Sequence, residues 1–193
     1  MKYRFIFTKR SENPIKAAFL DRDGVINIDH AYVGNRSNFE FIPGAIEGIR
    51  LLRDKGFVPV IVTNQSGIGR AKYSLHEFSE LTFWMAGVLE ASGAAIGALY
   101  FCPHHPTGAF APYLKACTCR KPEPGMILAA AQDLNIDPAA SVIIGDKCSD
   151  IEAGARAGVP RRILVKKDGT HPFPDCSTEH ETADNLLSAA KLL

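Results

Sequence analysis

The chain has almost no net charge: 22 Lys and Arg against 21 Asp and Glu over 193 residues leave +1 at neutral pH. That balance gives no electrostatic reason to expect nucleic acid or a membrane surface as a partner. No apolar run approaches the roughly 20 residues that span a bilayer. Residues 1–14 are charged and lack the uninterrupted apolar core of a secretory leader, so a cytoplasmic protein is expected. Internal repeats and low-complexity tracts are missing as well. What remains is 46% hydrophobic and 22% charged, ordinary for a soluble globular protein. The length suits one domain, 1–193, able to bury a proper core.

Strand and helix signals alternate. Strands are expected near 17–21, 58–63, 96–101, 141–146 and 161–166, and helices near 44–55, 74–93, 124–135, 148–158 and 183–193. Ser74 with Glu77 three residues on is a capping-box start, and Gly56 and Gly158 sit where helices should stop. Pro124 sets a helix entry. The alternation predicts an α/β fold, a doubly wound, Rossmann-like parallel sheet. Tyr3 to Phe7 reads equally as a short strand or an ordered extension. Two connections are long, 23–43 and 102–122, and loops of about 20 residues are usually functional. Neither is long enough for a separate cap domain, so loops alone should roof the active site.

The stretch from Ala17 to Val25 places Asp21 and Asp23 at the end of a buried strand, followed by Gly24. Open α/β sheets bind ligands beyond the carboxyl ends of their strands, and alternate residues of an extended chain point the same way. Two such carboxylates repel unless a cation lies between them, and Mg²⁺ suits an all-oxygen site. An Asp-Gly turn with no further role is the plain alternative. Three later segments argue against it: a strand ending in Thr63-Asn64, the cations Arg120-Lys121 before a helix, and a strand ending in Gly145-Asp146-Lys147. Together they offer a carboxylate nucleophile, a second acid, a hydroxyl and an ammonium for phosphate oxygens, and a third carboxylate for a metal. Asp150 is expected to be a helix-start acid.

The second long loop concentrates soft ligands. Cys102-x-His104 followed by Cys117-x-Cys119 supplies the four donors of a closed tetrahedral Zn²⁺ site, within a loop of about residues 102–121. A disulfide or isolated buried thiols are the alternatives, and reduced thiols are expected in the cytosol. His105, adjacent to His104, should point away from such a site. Cys148 and Cys176 are expected to be free core or surface thiols.

In order, the Asp21-x-Asp23 motif, Thr63, Lys121 and Gly145-Asp146 resemble the haloacid dehalogenase superfamily of phosphohydrolases. Asp29-His30-Ala31-Tyr32, Thr63-Asn64-Gln65-Ser66 and the Cys-His loop ending in Cys119-Arg120-Lys121-Pro122 are similar to one of its zinc-containing, capless families, the heptose-1,7-bisphosphate 7-phosphatases. The resemblance covers roughly residues 17–167. It implies a monomeric, Mg²⁺-dependent enzyme acting on a small sugar bisphosphate, on the route to nucleotide-activated heptose for bacterial surface glycans. It implies Asp21 as nucleophile, Asp23 as general acid and base, and Thr63 and Lys121 on the transferring phosphoryl group. Mg²⁺ would be held by Asp21, Asp146 and the Asp23 carbonyl. Asp29, His30, Tyr32, Asn64, Gln65, Ser66 and Lys147 would contact substrate, and Arg120, with Arg70 beside it, the phosphate that is not cleaved. The family often has glycine where this chain has Ala31 and Ala71. Histidinol-phosphate phosphatase is a rival within the same chemistry. A non-catalytic zinc-stabilised binding module is a rival from another class, and it would be expected to lack one of the three acids.

Overall fold

Residues 3–193 are described by a computed structural model. Strands β1 (Arg4–Ile6), β2 (Ala17–Leu20), β3 (Val58–Asn64), β4 (Ala98–Cys102), β5 (Val142–Gly145), β6 (Arg161–Val165) and β7 (Glu181–Ala183) alternate with helices. These are α1 (Ala45–Asp54), α2 (Ser66–Gly69), α3 (Leu75–Ala91), α4 (Gly125–Leu134), α5 (Cys148–Arg156) and α6 (Leu186–Leu192). The strands form one sheet in the order β1-β4-β3-β2-β5-β6-β7, parallel except where β1 joins the edge of β4. The expected α/β, doubly wound sheet is what the chain forms.

The two-residue period of the strands divides the core in two. Ala18 and Leu20 of β2, Ile61 of β3 and Val142 and Ile144 of β5 face α1, α3 and α6, where Ile49, Leu52, Phe78, Met85 and Ala189 are buried. Ala17, Phe19, Val60, Val62 and Ile143 face the opposite layer of α4 and α5, with Met126, Ile127, Ala130 and Ala153. Both faces of the central strands are therefore dry, which is why they read as unbroken apolar runs. Each fully buried Leu, Ile or Phe contributes about 1.5–3 kcal/mol.

Tyr3 to Phe7 resolves as β1, paired antiparallel with Arg4 opposite Tyr100. Helix α6 begins at Leu186, later than expected, because residues 181–183 pair with β6 as β7; Asn185 then caps the helix by accepting the Ser188 amide. Glu181 and Thr182 are exposed and Ala183 only partly buried, so the segment lacks the apolar content of a strand. The connection 23–43 contains only a 3₁₀ turn, Arg36–Asn38, and residues 103–124 contain no named strand or helix, so neither holds a cap domain.

One expectation is corrected. Cys148 and Cys176 are not free thiols but a disulfide, with Cα atoms 5.1 Å apart and a sequence separation of 28. The first turn of α5 and the returning segment before β7 bring them together, a proximity that spacing alone could not reveal.

Candidate active site

Strands β2 and β5 are neighbours in register, Leu20 opposite Ile144, so Asp21 and Asp146 emerge side by side. The chain leaves β2 for β3 on one side and returns to β5 on the other, which opens a crevice between their carboxyl ends. Carboxylate oxygens of Asp21, Asp146 and Asp150 lie within 4.8 Å of one another. Glycine makes this crowding feasible. A Cβ on Gly24, whose φ is +89°, would lie 2.4 Å from Asp146 Oδ2, and one on Gly145 would lie 2.2 Å from the Asp150 Cβ.

Lys121 neutralises part of that charge. Its Nζ lies 2.9 Å from Asp21 Oδ1 and 2.5 Å from Asp150 Oδ1, and donates to the Val62 carbonyl at 2.6 Å. Burial opposes its charge, but Asp150 and Asp21 outweigh burial and hold its pKa above the usual lysine value. Burial likewise opposes ionisation of Asp21, yet Lys121 and Lys147 hold that carboxyl below its ordinary value. Asp150 is pushed up by burial. Besides pairing with Lys121, it caps α5 by accepting the Lys147 amide at 3.0 Å. Its expected part as a helix-start acid is thus only half of what it does.

Asp146 is the odd member. Both its oxygens are buried without a hydrogen-bond partner, and burial together with the Asp21 charge pushes its pKa up to about 8. Three carboxyls against one buried ammonium, with two orphaned oxygens, fit a hard divalent cation such as Mg²⁺. Below about pH 8 such a cation must displace a proton from Asp146. Apparent Mg²⁺ affinity should therefore weaken as pH falls below that value, by up to about tenfold per unit. Calorimetric titration in buffers of different ionisation enthalpy should count close to one proton released; pH-independent binding without proton release would contradict this.

Asp23 is held by donors on every side. Its Oδ1 accepts from Arg22 Nη2 at 2.7 Å, Arg22 Nε at 3.1 Å and Asn27 Nδ2 at 3.0 Å, and its Oδ2 accepts from Gln65 Nε2 at 2.8 Å. Arg22 is buried and also donates to the Val33 carbonyl. Neither Arg22 nor Asn27 had been singled out from the sequence. Thr63, at the end of β3, is buried and its hydroxyl accepts from Gln65 Nε2 at 2.9 Å.

Above these groups a cavity of about 270 Å³ is lined by Asp23, Asp29, Tyr32, Asn64, Gln65, Ser66 and Lys147 among others. Lys147 Nζ lies 3.6 Å from Asp146 and 3.8 Å from Asp29, which Lys167 also meets at 3.2 Å. Asn64 brackets the Lys121 peptide, donating to its carbonyl and accepting its amide, both at 3.1 Å. Two expected residues stand apart. His30 faces Glu40 at 3.6 Å, beside a different cavity formed with Ser37 and Asn38. Arg120 donates to the His104 carbonyl and lines a neighbouring cavity of about 570 Å³ with Lys115 and Lys121. Arg70 donates to the Tyr32 hydroxyl. Ala31, Tyr32 and Ala71 all adopt positive φ, at 57°, 57° and 54°. Ala31 and Ala71 thus occupy backbone that glycine would adopt without penalty.

The Cys-His loop closes on itself. Sγ atoms of Cys102, Cys117 and Cys119 are 3.3–3.6 Å apart, and His104 Nδ1 is 3.3 Å from Cys119 and 3.7 Å from Cys102. A tetrahedron with metal–ligand bonds of about 2.0–2.3 Å has edges of roughly this length. All three thiols are free, so the four donors fit a zinc ion with no position left for water. His105 turns away as expected, its Nδ1 accepting from the Thr107 and Gly108 amides. Burial, then Arg120 and Arg70, holds its pKa below the ordinary value.

Comparison with known proteins agrees with this chemistry. A family model described as HAD-hydrolase-like matches residues 118–189. The D-glycero-beta-D-manno-heptose-1,7-bisphosphate 7-phosphatase of Yersinia pestis is 47% identical over 152 residues, 79% of this chain and 81% of that one. The protein of the same name from Photorhabdus laumondii is 44% identical over 173 residues, 90% of this chain and 89% of that one. The crystal structure of D,D-heptose 1,7-bisphosphate phosphatase from B. bronchiseptica, complexed with magnesium and phosphate, superposes with a TM-score of 0.77 at 29% identity, covering 92% of this chain and 97% of that one. Among the described residues no helix is long and apolar enough to cross a membrane.

Proposed function

Because the chain belongs to the family of D-glycero-β-D-manno-heptose-1,7-bisphosphate 7-phosphatases, we propose that it removes the 7-phosphate of that sugar through an aspartyl-phosphate on Asp21. The observation that carries the reading is the cluster of Asp21, Asp146 and Asp150 around Lys121 at the ends of β2 and β5. The same reading makes the protein a cytoplasmic monomer supplying heptose for nucleotide activation, with neither nucleic acid nor membrane as partner.

Asp21 Oδ1 is occupied by Lys121 Nζ and the Arg22 amide, which leaves Oδ2 to attack phosphorus. A carboxylate is ionised at neutral pH and needs no base to become a nucleophile. Asp23 gives a proton to the departing sugar oxygen, then takes one from the water that hydrolyses the phospho-enzyme. Thr63 and Lys121 steady the transferring phosphoryl oxygens, where catalysis is mostly positioning and charge stabilisation. Mg²⁺, held by Asp21, Asp146 and the Asp23 carbonyl, would supply the positive charge that offsets repulsion between Asp21 and the incoming phosphate. Zinc held by Cys102, His104, Cys117 and Cys119 would tie down the loop that carries Arg120 and Lys121.

Asp29, Tyr32, Ser66 and Lys147 line the cavity above Asp23 and take the sugar, while Arg120 takes the second phosphate. A guanidinium holds two phosphate oxygens at once. Relative kcat/KM on the β and α anomers of the bisphosphate and on histidinol phosphate tests the assignment, with the β anomer expected to be preferred. A preference for histidinol phosphate would overturn it. Arg120→Ala should lower kcat/KM for the bisphosphate by about ten- to hundredfold, as expected for a charge-assisted contact of about 1.5–3 kcal/mol. Hydrolysis of p-nitrophenyl phosphate, which has no second phosphate, should barely change. Equal losses on both would place Arg120 at the reacting centre.

A further inference from the structure

Tyr73 lies between α2 and α3 and is 7% exposed. Its ring is wedged between two backbones that have no side chain: a Cβ on Gly34 would lie 2.0 Å from it and one on Gly67 2.3 Å. On a third side it stacks on Phe78, with centroids 6.3 Å apart and planes at 22°. A ring fixed this way sends its hydroxyl in one direction, and that hydroxyl donates to Gln65 Oε1. Burial pushes the phenol's pKa up, so it remains a donor across the working pH range.

The consequence passes through a planar amide. With Oε1 held by Tyr73, the NH₂ end of Gln65 must face the other way, where Nε2 meets Asp23 Oδ2 at 2.8 Å and Thr63 Oγ1 at 2.9 Å. Gln65 is 2% exposed, so water is a poor substitute for any of these partners. Asp23 Oδ1 already accepts three bonds from Arg22 and Asn27. Oδ2 is thus the oxygen left to exchange a proton with substrate, and Gln65 is the side chain seated on it. An amide released from Tyr73 can turn its carbonyl toward Asp23, setting two acceptors against each other.

We propose that Tyr73 is a positioning residue for phosphoryl transfer, acting through Gln65 to aim the Asp23 carboxyl at the departing sugar oxygen. The inference rests on the phosphatase reading above. It deepens the part expected of Gln65, whose amide lines the substrate cavity while both its ends are engaged by protein.

Tyr73→Phe keeps the wedge and removes only the hydroxyl. In the magnesium-loaded enzyme, kcat/KM for the heptose bisphosphate should fall about tenfold, as for a misplaced catalytic group. The loss should appear in kcat, with KM within about twofold of wild type. For p-nitrophenyl phosphate, whose leaving group departs without a proton, kcat/KM, which is set by formation of the phospho-enzyme, should fall no more than about threefold. Gln65→Met should lose at least as much on the sugar, and adding Tyr73→Phe to it should cost nothing further, because the two act as one unit. Unchanged turnover in Tyr73→Phe, equal losses on both substrates, or additive losses in the double variant would each overturn the proposal. If Tyr73→Phe fails to fold, Gln65→Met alone decides it by the same contrast between leaving groups. A wild-type protein inactive on the bisphosphate would instead overturn the phosphatase reading itself.

Discussion

Asp21→Asn should reduce turnover by more than about 10⁴-fold, because an amide cannot form the phospho-enzyme. The variant should still fold. Three buried carboxyls share one ammonium, so removing one negative charge relieves repulsion even as Lys121 loses part of its pairing. Because Lys121 and Lys147 hold the Asp21 carboxyl below its ordinary pKa, its charge stabilises the fold, and melting temperature without metal is expected to fall modestly. Asp23→Asn makes the contrast. Attack by Asp21 remains feasible, but the departing oxygen and the incoming water lose their proton carrier, worth on the order of 10²–10⁴-fold. Its new amide would also oppose the Gln65 NH₂, donor against donor, on the side where Oδ2 now accepts. Rapid-quench measurements with labelled substrate should show covalent label in wild type, a slower-clearing label in Asp23→Asn and none in Asp21→Asn. Asp21→Asn turning over within about tenfold of wild type would place the nucleophile elsewhere.

Cys119→Ser should have the second-largest effect although it touches no reacting group. Residues 103–124 have no named strand or helix to hold them. What gathers them is a cluster in which Cys119 Sγ approaches Cys102, Cys117 and His104 Nδ1, each within 3.4 Å. Structural zinc sites contribute about 10–16 kcal/mol of apparent binding free energy in small peptides. Wild type purified without chelator should contain close to one zinc per chain by elemental analysis, and the variant little or none. Because Arg120 and Lys121 follow Cys119 directly, kcat/KM should fall at least about 100-fold with all three acids intact. A zinc-free Cys119→Ser with near-normal activity would mean that the loop holds its shape without metal.

Much of this site was legible before any coordinates. Strands β2, β3 and β5 are apolar on both faces, so their sequences carry strong signals, and Asp21, Thr63 and Asp146 follow at or near their ends. The Cys102, His104, Cys117 and Cys119 cluster was readable because Cys and His are scarce and lie close together in sequence. The supporting layer was not. Asp150 reaches Lys121 across 29 positions of sequence, and its helix-start spacing disguised an ion pair under a capping role. Asn64 and Gln65 were expected to contact substrate from the resemblance; they line the cavity above Asp23, and their amides also bind the Lys121 peptide and Asp23, a second task the sequence did not show. Tyr73 gave no chemical signal at all; the gap between Gly34 and Gly67 that fixes it exists only in three dimensions. Short polar β7 and the Cys148–Cys176 bond depend on how the chain returns after β6, which no local pattern encodes.

That return has a consequence for how the protein ages. The stretch His171 to Asp175 is exposed throughout and lies inside the ring closed by Cys148 and Cys176. A protease nicking it would sever the backbone but not the molecule, since the disulfide still binds the fragment bearing β7 and α6 to the rest. On a gel without reductant a worn preparation and a fresh one would migrate as a single band, and only thiol treatment would expose the cut.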